Sequence, residues 1–259
     1  MRILGFDTAT AATTVALLDL DGHPGTNPGT DPGTHLELEL RDDPAAGERP
    51  RHVTRLLPLI AELLERSGAG WEAVDVLAVG VGPGTFTGLR IGIATAQALG
   101  RARSIPLAGV STLRSLALGA ASTAGAADPG AVVLGVLDAR RGEAFAAAWR
   151  LGLPGAGALG EQLAEARALT PDALAGVARE LGPNALAVGP GAIEFRVWLE
   201  RAGAVVPAEH SELHKVSATY HCRLASLMST TAATAEISPD YLRLPDAEIA
   251  LQRRAQDNP

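Results

Sequence analysis

Aromatic residues, cysteine and lysine are scarce in this 259-residue sequence, and each scarcity excludes a class of protein. Aromatic residues make up 3% of the chain, which argues against a surface that stacks nucleic-acid bases and against an aromatic-lined sugar cleft. The single cysteine, Cys222, excludes an internal disulfide framework and any metal site built from several cysteines. Lys215 is the only lysine, so nearly all of the positive charge is on arginine.

An excess of positive charge and long apolar runs are also absent. The 22 Lys and Arg residues are outnumbered by 29 Asp and Glu residues, giving a net charge of −7, so we expect any nucleic-acid role to run through a partner. No apolar run approaches the length of a membrane span, and the acid at Asp7 is unlike a signal peptide. The sequence therefore predicts a cytoplasmic protein without membrane contact. Hydrophobic residues, at 47%, are sufficient for a core and exclude global disorder.

Hydrophobic periodicity predicts two α/β lobes in tandem, with a boundary at Pro106. The first lobe (1–105) has the order β-β-β-α-β-α, which indicates a sheet of mixed antiparallel and parallel strands. The second lobe (106–259) is predicted to contain a strand hairpin and several helices, and its tail, from about 237 to 259, to return to the first lobe. The predicted strands are 2–7, 14–19, 35–40, 74–81, 107–110, 131–137, 143–149 and 185–188, and the predicted helices are 51–67, 87–103, 111–121, 171–181, 192–202 and 216–228. Between the second and third strands, Pro-Gly-Thr occurs three times within Gly22–Thr34, which predicts a mobile hairpin tip.

The segment Val79–Arg90, VGVGPGTFTGLR, places a glycine-rich turn between a strand and a helix N-terminus. The free N–H groups and the dipole of such a terminus favour an anion, and glycine lets a phosphate approach the backbone closely. The spacing matches neither a Walker loop nor a Rossmann fingerprint. Phosphate binding and a tight strand-to-helix turn therefore both remain open.

Asp7 ends the first strand and forms, with Thr8 and Thr10 of the following turn and with Gly82 and Gly84, a candidate nucleotide site, to which an active ATPase would add Gly189 and Gly191. In two-lobed nucleotide-binding folds such a turn holds phosphate, and its Asp orients a cation or water. The alternative, which we favour for Asp7 on its own, is an aspartate that caps a turn. A phosphotransferase or ATPase would also need a second carboxylate between the lobes. Asp138 is the only well-placed candidate, and the geometry of its hairpin explains it.

Small residues recur every four positions along the second predicted helix, at Gly88, Gly92, Ala96 and Gly100. Glycine inside a helix costs roughly 1 kcal/mol, so close approach of another element is needed to offset that cost. The stripe is equally compatible with packing inside the chain and with a subunit interface. Among the histidines, His210 and His214 are four residues apart, but without a third ligand we do not expect a metal site.

Five segments together resemble one known family. They are ILGFDTAT near the start, VGVGPGTFTGLRIGIATAQALG in the middle, VSTLRSLA and LDARRGEAFAA after it, and SPDYLRLPDAEI in the tail. With these segments the chain is similar to the bacterial TsaB (YeaZ-like) family of tRNA threonylcarbamoyladenosine biosynthesis. The resemblance is tight over residues 1–149 and at the tail, and loose over 152–236. The Pro-Gly-Thr tract and residues 209–236 depart from the family pattern.

The resemblance implies the two-lobed α/β fold of actin, hexokinase and Hsp70-type ATPases (the ASKHA fold), with a mixed sheet flanked by helices in each lobe. It also implies a subunit with no catalytic residue, metal or cofactor of its own. Such a subunit binds and activates a TsaD-like paralogue, which transfers a threonylcarbamoyl group to the adenosine beside the anticodon of tRNA. A TsaE-like ATPase is a second implied partner, and tRNA is reached only through the complex.

A comparison with the catalytic paralogue supports the non-catalytic assignment. The paralogue carries a metal-binding motif of the form V-N-H-x-x-x-H, and its alignment on Val110 places Thr112 and Leu116 at the two histidine positions. Leucine has no donor atom and a neutral threonine hydroxyl is a poor ligand, so we expect no such metal centre. The same absence disfavours a metal-dependent glycoprotease.

The resemblance further implies that the two helices of the first lobe, 51–67 and 87–103, pack against the equivalent helices of the TsaD-like subunit. A homodimer through the same surface is expected when that subunit is missing. We also expect Gly92→Leu to weaken partner binding while leaving the fold intact. The predicted interface residues are Leu56, Ile60, Leu63, Gly88, Leu89, Gly92, Ala96 and Leu99.

Overall fold

The structure, a computed structural model, describes residues 1–20, 36–45, 47–123, 130–152, 159–228 and 236–243. The predicted hairpin tip at 22–34 lies outside these residues. The strands are β1 (Arg2–Asp7), β2 (Thr13–Asp19), β3 (Leu36–Asp42), β4 (Val76–Gly82), β5 (Leu107–Ser111), β6 (Val132–Arg140), β7 (Glu143–Leu151), β8 (Leu159–Leu169) and β9 (Leu186–Val188). The helices are α1 (His52–Ser67), α2 (Phe86–Arg103), α3 (Thr112–Thr123), α4 (Pro171–Leu181), α5 (Pro190–Glu194), α6 (Arg196–Arg201) and α7 (Ala218–Ser226).

The first sheet has the strand order β3-β2-β1-β4-β5, in which β1 to β3 are antiparallel and β1, β4 and β5 are parallel. Every residue of β1 and β2 is buried, because helices cover both faces of the sheet. Helices α1 and α2 pack on one face, where Leu4, Phe6 and Leu17 meet apolar side chains of both helices. The mixed sheet that the sequence predicts for this part of the chain is therefore present.

The second sheet has the order β8-β7-β6-β9, with β9 parallel to β6 and the other pairs antiparallel. Helices α4 to α6 contribute to the apolar cluster on one face, and α3 packs on the other. The cluster that contains α3 joins Ile3 of the first sheet to Val133 of the second, so the two sheets share a continuous core.

Two segments of the second sheet region differ from the predictions. Strand β8 was not predicted, because its sequence, LGEQLAEARAL, is rich in residues that favour helices, and only pairing with β7 makes it a strand. The single helix predicted over 192–202 is two short helices, α5 and α6, which meet at Phe195.

Helix α7 occurs late in the chain but packs on the first sheet, against β1 and β2, on the face opposite α1 and α2. Its N-terminus is held by Glu39 of β3, whose carboxylate accepts hydrogen bonds from the hydroxyls of Ser217 and Thr219. A carboxylate at this position also interacts favourably with the helix dipole. The division of the chain into lobes 1–105 and 106–259 stays a prediction, and α7 contributes to the first sheet across that boundary.

Candidate functional site

Asp7, at the end of β1, is the centre of a buried polar cluster, with 1% of its surface exposed. Its Oδ1 accepts a hydrogen bond from the Ala9 N–H at 2.7 Å, so it caps the β1–β2 turn. Its Oδ2 accepts a hydrogen bond from the Thr112 hydroxyl at 2.8 Å and lies 2.9 Å from Nε2 of His221. Asp7 therefore connects β1 with α3 and α7.

His221 extends this cluster through its second ring nitrogen and is fully buried. Its Nδ1 lies 2.8 Å from the Ser115 hydroxyl and 3.1 Å from the Ser217 carbonyl oxygen. Asp7, His221 and Ser115 thus follow one another in the order of an Asp-His-Ser relay. Because all three side chains are buried, this serine is not placed to attack a substrate from solvent.

The protonation state of Asp7 depends on the groups that surround its carboxylate. Burial alone would raise the pKa of Asp7, but the adjacent His221 ring, the Ala9 N–H and the Thr112 hydroxyl outweigh burial and hold the pKa below its ordinary value. Asp7 is therefore a carboxylate at neutral pH. Gly80 on β4 is required beside it, since a Cβ at that position would overlap the Asp7 carboxylate.

The glycine-rich turn before α2 packs directly on the β1–β2 turn. The Thr85 N–H donates to the Ala9 carbonyl at 2.7 Å, and the Thr8 hydroxyl donates to the Gly88 carbonyl at 2.8 Å. A Cβ at Gly84 or Gly88 would overlap the backbone of the β1–β2 turn, so glycine permits this close approach. The Thr85 N–H and the Thr8 hydroxyl are thus hydrogen-bonded within the chain.

The structure brings the predicted nucleotide residues together, since Asp7, Thr8 and Thr10 of the first turn lie beside Gly82 and Gly84 of the second. Thr10 is half-buried and the other four are buried or half-buried. Nucleotide binding at these residues stays a prediction.

Asp138 and His214, which the sequence offered as candidate site residues, form hydrogen bonds that stabilise the fold. Asp138 accepts the Arg140 N–H at 2.6 Å and so caps the β6–β7 turn, as the hairpin reading implies. His214 is buried with its Nδ1 3.1 Å from the Gly189 backbone, whereas His210 is exposed. Among the described residues, no group of three His, Cys, Asp or Glu side chains is arranged to hold a metal ion.

The small-residue stripe of α2 faces the interior of its own lobe. A Cβ at Gly92 would overlap the hydroxyl of Thr8, and one at Gly100 would lie 2.7 Å from the Leu107 side chain. Contrary to the expectation from sequence, we therefore expect Gly92→Leu to disturb the fold itself. Of the two explanations for the stripe, packing inside the chain and a subunit interface, the structure supports packing inside the chain.

The predicted interface residues lie mostly on the same inner side. Seven of the eight are buried in this chain, and the eighth, Leu99, is half-buried. Partner contact at these positions stays a prediction, but their side chains already fill the core between the helices and the first sheet. The buried seven are Leu56, Ile60, Leu63, Gly88, Leu89, Gly92 and Ala96.

The outer face of the same two helices is exposed and partly apolar. On α1, Val53 is 75% exposed and Leu57 is 51% exposed, one helical turn apart. On α2, which contacts α1, Ala94 and Ala98 are exposed. We call these four residues together with Ala61 the outer face. Sequence reasoning missed it because α1 carries apolar residues on both sides, and the buried stripe was the stronger signal.

Known proteins are similar to a large part of this chain. The family model for TsaD, tRNA N6-adenosine threonylcarbamoyltransferase, matches residues 47–189, which is more than half of the chain. The chain belongs to the TsaD family. The match includes α1, the glycine-rich turn, α2 and α3, whereas Asp7 and His221 lie outside it.

Within this family the chain is similar to proteins named TsaB, which confirms the resemblance seen in the sequence. It is 41% identical over 145 residues to the tRNA threonylcarbamoyladenosine biosynthesis protein TsaB of Escherichia coli, covering 56% of this chain and 53% of the relative. It is 35% identical over 146 residues to TsaB of Haemophilus influenzae, covering 56% and 52%. The chain thus spans about half the length of the curated relatives it matches.

The structural comparison covers nearly the whole chain. YeaZ from Pseudomonas aeruginosa superposes with a TM-score of 0.71 at 29% identity, covering 93% of this chain and 99% of that one. Together with the TsaD family match and the two helix-flanked mixed sheets, this similarity confirms the predicted ASKHA-like α/β fold. Among the described helices, none combines the length and apolar character needed to cross a membrane.

Proposed function

We propose that this chain is a non-catalytic subunit of tRNA threonylcarbamoyladenosine synthesis that binds and activates a TsaD-type transferase through the outer face of α1 and α2. The names of the Escherichia coli and Haemophilus influenzae relatives support the pathway. The tRNA is bound by the complex, and a TsaE-type ATPase is a further partner.

The non-catalytic part of the proposal rests on the buried cluster around Asp7. Thr112, which aligns with a metal-binding histidine of the catalytic paralogue, donates its hydroxyl to Asp7. Leu116, at the other histidine position, is buried in the apolar core. Both positions therefore serve packing and hydrogen bonding in this chain, and neither carries the histidine that the resemblance implies for the catalytic paralogue.

The docking part rests on one observation, the exposure of Val53 and Leu57 on a helix whose opposite side is fully packed. Large apolar side chains exposed together on one surface favour association, because contact with a partner removes them from water. The alanines at 94 and 98 leave room for a partner helix to approach α2 closely. We propose that the same face forms a homodimer when no TsaD-type subunit is present.

The test is a titration of this chain into the TsaD-type subunit of the same host, followed by calorimetry, with the stoichiometry measured by light scattering. We expect a one-to-one complex, and we expect Leu57→Arg to weaken binding at least tenfold because a guanidinium would be buried against an apolar partner. The matched control is Val197→Arg, which changes a 50% exposed residue on α6 and is expected to leave the affinity unchanged.

The outcomes separate the two parts of the proposal. Absence of any complex with the unmodified chain would contradict the partner role. A complex that forms equally well with Leu57→Arg and Val53→Arg would contradict the outer face as the docking site. Circular dichroism on each variant establishes that the fold is retained, as expected for exposed positions.

A further inference from the structure

The segment Ile237–Arg243, which we call the strap, lies across both sheets although it forms no regular secondary structure. At its start the Ile237 side chain packs on the apolar cluster between the first sheet and helices α1 and α2. The Ile237 carbonyl accepts a hydrogen bond from Nε2 of Gln97 at 2.9 Å. Further along, the Asp240 N–H donates to the carbonyl of Val81 at 2.8 Å, at the end of β4.

An aromatic cluster fixes the middle of the strap to α2. The ring of Tyr241 stacks on Phe86 with 5.3 Å between the ring centroids. The guanidinium of Arg90 lies 3.7 Å from the centroid of the Phe86 ring and donates to the Tyr241 hydroxyl at 3.1 Å. Stacking and a hydrogen bond thus hold Tyr241, and a cation–π contact joins its two partners, Phe86 and Arg90. This end of the strap belongs structurally to the first sheet.

The last two residues of the strap bind the second sheet. Leu242 packs on the apolar cluster that both sheets share. Nη1 of Arg243 donates to the Ala139 carbonyl at 3.2 Å and to Oε2 of Glu143 at 3.1 Å, on the two sides of the β6–β7 turn. Arg243 and Glu143 are both largely shielded from water, with 21% and 34% of their side chains exposed, which strengthens their attraction.

The contacts of the strap connect the first sheet to the second. In the described part of the chain no strand of the first sheet is hydrogen-bonded to a strand of the second. The orientation of the sheets therefore depends on side-chain packing around α3 and α7, and on the strap. From Asp240 to Arg243 the chain spans at most about 11 Å, so it forms a short tether between the end of β4 and the β6–β7 turn.

We propose that the strap limits rotation of the two sheets about their shared core and thereby holds the chain in one conformation. The shared core acts as the pivot, because apolar packing is compatible with small sliding movements. The strap acts at a distance from that pivot, through directional hydrogen bonds and one ion pair. This device goes beyond the docking proposal and does not depend on any partner.

The test measures the distance between two nitroxide labels by electron paramagnetic resonance on the full chain. Cysteines replace Glu65 on α1 and Glu180 on α4, both exposed. Native Cys222 does not interfere, because it is fully buried and burial raises the pKa of its thiol. We expect Arg243→Glu, which turns the attraction to Glu143 into repulsion, to widen the distance distribution at least twofold.

Three further variants make the result specific. The double variant Arg243→Glu with Glu143→Arg restores the ion pair and is expected to restore the narrow distribution. Tyr241→Ala is expected to widen the distribution, since it removes the stacking on Phe86. Arg114→Glu, a charge reversal at an exposed arginine of α3, is the control and is expected to change nothing.

An unchanged distribution in both Arg243→Glu and Tyr241→Ala would overturn the proposal, whatever happens to the thermal midpoint. Widening in Arg243→Glu that the double variant fails to reverse would also overturn the role of the ion pair. Should Arg243→Glu not fold, Arg243→Gln removes the charge without repulsion, and its distribution is read in the same way. Because no partner is present in this experiment, its result is independent of the docking test.

Discussion

The cluster around Asp7 and the outer face of α1 and α2 lie in the same half of the molecule but distribute polar and apolar groups in opposite ways. Asp7 and His221 are almost completely buried, whereas Val53 and Leu57 are mostly exposed. Folding alone favours the reverse arrangement, with charges outside and large apolar side chains inside. The buried carboxylate of Asp7 is tolerated because the Ala9 N–H, the Thr112 hydroxyl and the His221 ring surround it, whereas we propose that a partner covers the outer face.

The largest effect is expected when the buried cluster is broken at its centre. Asp7→Asn keeps the size of the side chain but removes the buried carboxylate that accepts hydrogen bonds from the Ala9 N–H and the Thr112 hydroxyl and lies 2.9 Å from Nε2 of His221. Leaving a buried polar group without its partner typically costs about 1–3 kcal/mol, and more when the lost partner is charged. We expect a loss of about 3 kcal/mol in the free energy of unfolding, measured by urea denaturation.

The control for this change is Glu62→Gln on the exposed side of α1, where the ion pair to Arg66 at 3.4 Å is in contact with water. Such a pair contributes about 0–1 kcal/mol, so little change is expected. If the two variants lost similar stability, the cluster around Asp7 would not have the structural role that its geometry indicates.

A smaller effect is expected where α2 approaches the β1–β2 turn. Gly92→Ala gains about 1 kcal/mol of helix propensity, but its methyl group would overlap the Thr8 hydroxyl, and overpacking costs about 1–3 kcal/mol. We expect a net loss of about 1 kcal/mol in the free energy of unfolding. In a Thr8→Ala background the overlap is absent, and the same change at Gly92 is expected to be neutral or stabilising.

Gly176→Ala in α4 is the matched control, since a Cβ there would meet no atom within 4 Å. Only the propensity gain remains at this site, so stability is expected to rise slightly. A Gly92→Ala variant as stable as Gly176→Ala would show that α2 does not pack closely on Thr8.

The smallest effect concerns acid sensitivity near the outer face. His52 begins α1, is buried, and has its Nδ1 2.8 Å from the Thr13 hydroxyl. Burial lowers its pKa below the usual value of about 6.5, with nearby Asp7 offsetting part of the shift. Because the pKa of His52 is lower in the folded state than in the unfolded state, His52 contributes to the free energy of unfolding above pH 6.5. This contribution is lost as the pH falls through the folded-state pKa.

His52→Asn, which retains a group able to contact Thr13, is therefore expected to flatten the pH dependence of stability just below pH 6.5. The measurement is urea denaturation at several pH values between 5 and 8. Asp7, whose pKa is also depressed, loses its contribution only below the usual aspartate value of about 3.9, so the two windows are separate. Equal slopes for both proteins in the upper window would contradict the assignment to His52.

Local patterns were sufficient to predict most of the first sheet and the helices α1 and α2, because alternation and helical spacing are properties of neighbouring residues. The same patterns could not predict that His221 meets Asp7, since 214 positions separate them and only the packing of α7 on β1 brings them together. Local sequence patterns also could not predict which side of α1 is buried. Leu56 and Leu57 are adjacent and chemically identical, and only the position of the sheet distinguishes them.

Helix α7 also determines the order in which the molecule becomes complete during synthesis. All five strands of the first sheet have left the ribosome once residue 111 has emerged, but the helix that covers one face of that sheet ends at Ser226. At a translation rate of about 5–20 residues per second, that apolar face stays uncovered for on the order of ten seconds until α7 has been synthesised. The nascent chain exposes this face to solvent over that interval, and slow codons between the two elements would lengthen the exposure.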